Sequence, residues 1–133
     1  MYSALVSKCN SPILKKLNGK IHLIVGNHEK AARQLPQYFE WVKDMAEIKV
    51  PDDSIGASQR IVLLHYAMRT WRGAGRGTWQ LYGHSHGNLP DDPDMLAIDV
   101  GVDCHDFYPV SYEEVKAIMA TKTWEPPNYS RED

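Results

Sequence analysis

No stretch of this sequence is apolar over the roughly 20 residues that a membrane-spanning helix requires. Residues 1–8 also lack the basic start and long apolar run of a secretory leader. Cysteine is scarce: Cys9 and Cys104 are the only two, too few for a disulfide framework, which points to a reduced, cytoplasmic setting. Neither sign of charge dominates, and a net charge of -2 leaves no electrostatic case for binding nucleic acid or an anionic membrane. There is no internal repeat and no interdomain linker. What is present is an ordinary globular composition, 43% hydrophobic and 24% charged over 133 residues. That is one domain at most, with enough chain for a hydrophobic core. The unusual count is six histidines, and their placement matters more than their number.

Short apolar runs alternate with helical patterns, which argues for an α/β or α+β domain. Residues 11–17 read as a short helix stopped by Asn18-Gly19. Residues 20–25 (KIHLIV) read as a buried strand, and the turn Gly26-Asn27-His28-Glu29 follows directly. Residues 30–45 carry Leu35, Phe39 and Val42 at helical spacing, so an amphipathic helix is expected there, weakened or divided by Pro36. Strands are expected at 46–50, closed by the turn cluster 51–54, at 60–64, at 79–82 and at 95–102. Gly73, Gly75 and Gly77 with Arg72 and Arg76 make a flexible basic loop. Ser111 and Glu114 have capping-box spacing, so a helix starts there. Residues 125–133 read as a loose tail.

Three of these strands stop on metal-capable side chains: Asn27 and His28, then His65, then His84 and His86. Open α/β sheets bind ligands at the carboxyl ends of their strands, so the three clusters are expected to converge. Gly83 and Gly87 let the backbone turn tightly around His84-Ser85-His86, and imidazoles two apart in a turn diverge enough to serve two ions. Each cluster also has a plainer reading. His65 alone fits a hydrogen-bonded histidine at a strand end, the His84/His86 turn fits a solvent-exposed loop, and Gly-Asn is an ordinary turn. The ordered set, each member directly after an apolar run, favours a metal site. Imidazole with amide oxygen suits manganese, zinc or iron rather than calcium.

Taken in order, Gly26-Asn27-His28-Glu29, His65 and Gly83-His84-Ser85-His86 resemble the later motifs of calcineurin-like metallophosphoesterases. The flanking text LLHYAMRTW, GTWQLYGHSHG and IDVGVDCHDFYPVSYEEV is similar too, and most resembles the small bacterial and phage-type predicted phosphohydrolases of that superfamily. The resemblance spans about residues 12–120. It implies two ions about 3.5–4 Å apart that clamp phosphate for in-line attack. By position, Asn27, His65 and His84 would hold one ion and His86 the other. His28 would stabilise the transferring phosphoryl group or give a proton to the departing oxygen, with Glu29 orienting it. Arg69, Arg72 and Arg76 could meet substrate phosphate, or be solvated loop charges.

The family also uses an Asp-x-His and a Gly-Asp before the Gly-Asn-His turn. This chain has no Gly-Asp dipeptide, and only 25 residues precede Gly26. Its one Asp-x-His, Asp103-Cys104-His105, lies after the last histidine motif, in a segment that resembles the family's closing strand and has no usual metal role there. The expected architecture is therefore α/β (α+β), a partial calcineurin-like β-sandwich flanked by helices and lacking the opening β-α-β elements. Residues 1–124 would form one truncated domain and 125–133 its tail. A homodimer, or a replacement segment at residues 1–10, would cover the exposed edge. Two functions follow. One is a metal-dependent phosphoesterase acting on a phosphorylated small molecule or phosphodiester, impaired by the missing carboxylates. The other is a non-catalytic dimerising or binding module of the same descent. Zinc storage is disfavoured because no cysteine joins the histidines.

Overall fold

The structure is a computed structural model and describes residues 14–27 and 32–128. It is an α+β fold. A parallel pair, β1 (His22–Ile24) and β2 (Trp41–Lys43), lies beside a four-stranded sheet of β3 (Met45–Asp52), β4 (Ala57–Leu64), β5 (Trp79–Tyr82) and β6 (Ala97–Asp99). Among the described residues the only α-helix with defined bounds is α1, Tyr112–Ala120. Of the helix expected at 11–17, residues 11–13 lie outside the described residues, and 14–17 form a single turn in which Leu14 is helical and accepts from Leu17 N–H at 3.2 Å.

β3 and β4 form an antiparallel hairpin, whereas β4, β5 and β6 run parallel in that order. The hairpin turn is a 3₁₀ turn at Asp53–Ile55, with Gly56 left-handed at φ 65°. β3 passes through Pro51, where a turn is expected from the sequence. The strand lies at the sheet edge, where proline removes no needed ladder donor. Its residues alternate: Ala46, Ile48, Val50 and Asp52 face inward, and Met45, Glu47, Lys49 and Pro51 are exposed. In the middle of the sheet, Ile61, Val62 and Leu63 are all buried, as expected of a strand covered on both faces.

The helix expected over 30–45 is not there. Two 3₁₀ turns, Ala32–Gln34 and Pro36–Tyr38, lead into the strand Trp41–Lys43, and residues 28–31 lie outside those described. Pro36 cannot donate into a preceding turn, and Leu35 before it is non-helical at φ -121°, ψ 47°. The helically spaced Leu35, Phe39 and Val42 do share one apolar cluster, with Leu14, Ile21 and Leu23, but from turns and a strand. β1 alternates between two cores: Leu23 faces that cluster, and Ile24 faces the main core beneath the larger sheet.

α1 starts where expected. Ser111 Oγ accepts from Glu114 N–H at 3.2 Å and Glu114 Oε2 accepts from Ser111 N–H at 2.7 Å, a reciprocal cap. Its Val115 and Met119, one turn apart, are buried in the main core, and Tyr112 stacks on Trp79 with ring centroids 5.6 Å apart. The other side of the helix is fastened by charge. Asp52, buried at the end of β3, accepts from Tyr112 Oη and Lys116 Nζ, both at 2.7 Å, and from Ser54 Oγ at 2.6 Å. The bond from Lys116, then those from Ser54 and Tyr112, hold the Asp52 carboxyl well below the usual carboxylate range.

Because the folded state depresses this carboxyl, its contribution to stability is present at neutral pH and is lost as pH falls below about 4. In thermal melts, Asp52→Asn should lower the midpoint near pH 7, and the gap to wild type should shrink below pH 4. A gap that does not change between pH 7 and pH 3 would show that the ionised carboxylate does not fasten α1.

Candidate metal site at the strand ends

The topology brings the strand ends together. Since β4, β5 and β6 are parallel, Leu64, Tyr82 and Asp99 end on one side of the sheet. The antiparallel partner of Leu64 is Met45, which follows closely on the end of β2, and β1 runs parallel to β2 with Ile24 opposite Lys43. The turn after β1 therefore opens on the same side. The backbone then fixes two of the histidines to each other: the His65 carbonyl accepts from both Gly83 N–H at 3.1 Å and His84 N–H at 2.9 Å.

The side chains follow. His65 Nε2 lies 3.0 Å from Asn27 Oδ1 and 3.1 Å from His84 Nδ1. The two imidazoles meet edge to face with centroids 5.0 Å apart. Tyr66 packs on both rings, 5.1 Å from His65 and 4.6 Å from His84. Asn27 Oδ1 and His84 Nδ1 thus both lie against His65 Nε2. Ligands on a single ion at bond lengths near 2.1 Å are about 3.0–3.4 Å apart, so these separations suit a shared divalent ion. Among the described residues, no three His, Cys, Asp or Glu side chains gather around one ion; the group is two imidazoles and an amide.

Two residues outside the expected ligand set shape this cluster. A Cβ at Gly26 would sit 2.9–3.1 Å from three atoms of the His65 ring, so only glycine lets that ring reach Asn27. Gln80, fully buried, accepts from Met68 N–H at 3.3 Å and donates to the Tyr66 carbonyl at 3.2 Å. It pins the segment immediately after His65. A polar residue buried in an apolar strand was the available clue, since such a group must be satisfied by nearby backbone.

The second half of the Gly-His-Ser-His turn points elsewhere. His86 is left-handed at φ 49° and exposed, and its Nδ1 contacts Asp103 Oδ2. Asp99, at the end of β6, accepts from Gly87 N–H at 3.1 Å and Gly101 N–H at 2.9 Å, and its carbonyl lies 2.9 Å from His105 Nε2. Cys104 is free. Withdrawal of the thiol from water, then the Asp99 charge, push its pKa up to about 11, so it is a protonated thiol at neutral pH and a poor nucleophile.

His28 and Glu29 lie outside the described residues. Of the three arginines, all exposed, Arg69 follows His65 by four residues. Arg72 Nη1 reaches Glu47 on β3 at 3.5 Å. Arg76 closes a 3₁₀ turn, Ala74–Arg76, between left-handed Gly73 and Gly77. Gly77 accepts from Gln59 at 2.9 Å, so that loop is tied down beside the start of β5, the far end of the strand from His84.

No family model matches the chain, and no curated protein matches its sequence. Among solved structures, the crystal structure of AQ665, a protein of unknown function from Aquifex aeolicus, is similar. The two are 21% identical with a TM-score of 0.53, over 80% of this chain and 65% of that one. At that identity the likeness is one of fold. Among the described residues no helix is long and apolar enough to cross a membrane.

Gly26→Ala should push the His65 ring off Asn27. The expected cost is about 1–3 kcal/mol of stability from overpacking, with a selective shift of the His65 and His84 ring signals in long-range ¹H–¹⁵N NMR spectra. Unmoved ring signals would show that the close approach is dispensable.

Proposed function

We propose that this chain is a metal-dependent phosphoesterase, with a divalent ion held by Asn27, His65 and His84. The observation that carries the reading is the meeting of Asn27 Oδ1, His65 Nε2 and His84 Nδ1 at 3.0 and 3.1 Å, on the side where the parallel strands end. The donor set suits manganese, zinc or iron. When bound, such an ion polarises a phosphoryl oxygen and acidifies water.

The chain's own groups would do the rest. Tyr66, packed on both imidazoles and half-exposed, shields one side of the pair from water. Arg69, exposed beyond His65, is the guanidinium closest in sequence to the donors and would meet substrate phosphate. His28, oriented by Glu29, would supply the proton for the leaving oxygen. The substrate class is a phosphorylated small molecule or phosphodiester, the setting cytoplasmic and the unit a homodimer.

One observation favours the second reading, a binding module without turnover. All three converging donors are neutral, and the chain has no Gly-Asp carboxylate to balance two divalent ions.

The distinguishing experiment is hydrolysis of p-nitrophenyl phosphate and bis(p-nitrophenyl) phosphate with Mn²⁺ or Zn²⁺, with solution mass measured in parallel. The phosphoesterase reading expects turnover above the metal-only blank. His65→Ala or His84→Ala should reduce it by on the order of a hundredfold or more, since losing a ligand costs at least as much as losing its outer partner. Ion binding without turnover under every metal would leave the binding module.

A further inference from the structure

β3 stands at one edge of the larger sheet. β4 pairs it along its whole length, from Met45 opposite Leu64 to Asp52 opposite Ala57, and among the described residues no strand lies on its other side. Every second residue of an edge strand turns its N–H and C=O outward, a row of groups that a further strand can satisfy. The side chains say which strand fits. On the exposed face, Glu47 and Lys49 stand two residues apart, between Met45 and Pro51. On the inward face, Ile48 and Val50 are only partly buried where they meet the main core.

A second copy of β3, laid antiparallel about a twofold axis at Ile48, matches this pattern along the strand. Glu47 of each protomer falls opposite the partner's Lys49. Directly opposite residues of antiparallel strands share a face with Cβ atoms about 4.5–5.5 Å apart, within reach of an ion pair. Ile48 meets the partner's Ile48 and Ala46 meets the partner's Val50, so the inward face continues as an apolar one. Met45 and Pro51 fall at the ends of the ladder, where the missing proline N–H interrupts no interior bond.

The neighbouring registers are closed by charge. Displaced by two residues one way, Glu47 faces the partner's Glu47; displaced the other way, Lys49 faces the partner's Lys49, like charges directly opposite. A slip of one residue sets exposed side chains against inward ones. Within one chain the same charges are poorly matched. Lys49 lies opposite Arg60 in the β3–β4 register, both exposed, and the ion pair of Glu47 is with exposed Arg72 at 3.5 Å, a kind that contributes little. A carboxylate arriving on the outer side of Lys49 offsets its repulsion with Arg60, and the partner's Glu47 is placed to be that carboxylate.

We propose that two copies of this chain join through β3, antiparallel about Ile48, to make one continuous sheet fixed in register by two Glu47–Lys49 ion pairs. This rests on the homodimer reading given above and not on the metal site.

The test measures the solution mass of the whole chain by sedimentation equilibrium at low and high salt. Wild type should be a dimer that weakens as salt rises. Glu47→Lys and Lys49→Glu each turn both ion pairs into like-charge pairs. Either alone should raise the dimer dissociation constant by on the order of 10-fold or more. An equimolar mixture of the two variants restores both pairs and should recover the dimer as a heterodimer. The double exchange Glu47→Lys/Lys49→Glu should recover it as a homodimer. Both positions are exposed, so thermal melts of every variant should stay near wild type. Dimers that ignore the single exchanges, or single variants that do not recover on mixing, overturn the β3 interface alone. A wild type that stays monomeric overturns the homodimer reading with it, and leaves the phosphoesterase reading to the hydrolysis assay.

Discussion

The parallel pairing of β4 with β5 is the constraint on which the rest of the candidate site depends. Ile61 to Leu63 of β4 lie opposite Trp79 to Leu81 of β5. Just beyond that register, the His65 carbonyl captures the N–H groups of Gly83 and His84. A shift of one residue would turn every side chain to the other face of the sheet and separate the two imidazoles. Val62, Leu63, Trp79 and Gln80 are all in the interior, so a slip would disrupt close packing on both faces. Gln80 also binds the backbone on either side of Ala67, at Tyr66 and Met68, bonds that a slipped register would break.

Around that pairing the fold divides its work. The main core, packed beneath the four-stranded sheet and against Val115 and Met119 of α1, holds the strands in order. The smaller cluster around Leu14, Ile21, Leu23 and Phe39 holds β1, which carries Asn27 on the turn that follows it. Because Leu23 and Ile24 face different clusters, β1 couples the two, and the Asn27 turn is positioned by both. Asp52 and Lys122 perform a comparable service through charge. Asp52 binds α1 to the end of β3. Lys122, its side chain almost fully buried, binds Asp91 and the Ala97 carbonyl, fastening the turn-rich stretch before β6.

Local signals were legible wherever the physical cause was itself local. β5 at Trp79–Tyr82 and the capped start of α1 follow from an apolar run and from a reciprocal hydrogen bond between residues three apart. The grouping of Asn27, His65 and His84 was legible as a pattern of donors after apolar runs, because parallel strands deliver their ends to one side. Residues 32–43 misled for the opposite reason. Their apolar spacing fits a helix, but Pro36 and the pull of β1 on Trp41 to Lys43 make turns and a strand, a choice settled by a partner outside the segment. β6 proved shorter than its apolar pattern, ending at Asp99, because that carboxylate is used to clamp the turns at Gly87 and Gly101.

By itself the sequence determined which residue types are available: three donor clusters, each placed after an apolar run, no Gly-Asp dipeptide, and a late Asp-x-His without an assigned part. Only the tertiary structure decided which of them meet. It brought Asn27, His65 and His84 together across 57 residues of chain (27 to 84), sent His86 to Asp103 instead, and required glycine at position 26 because the His65 ring lies against it. The physical reason is that side-chain chemistry is a property of single residues. Convergence is a property of strand direction and register, which are fixed by what the whole sheet buries.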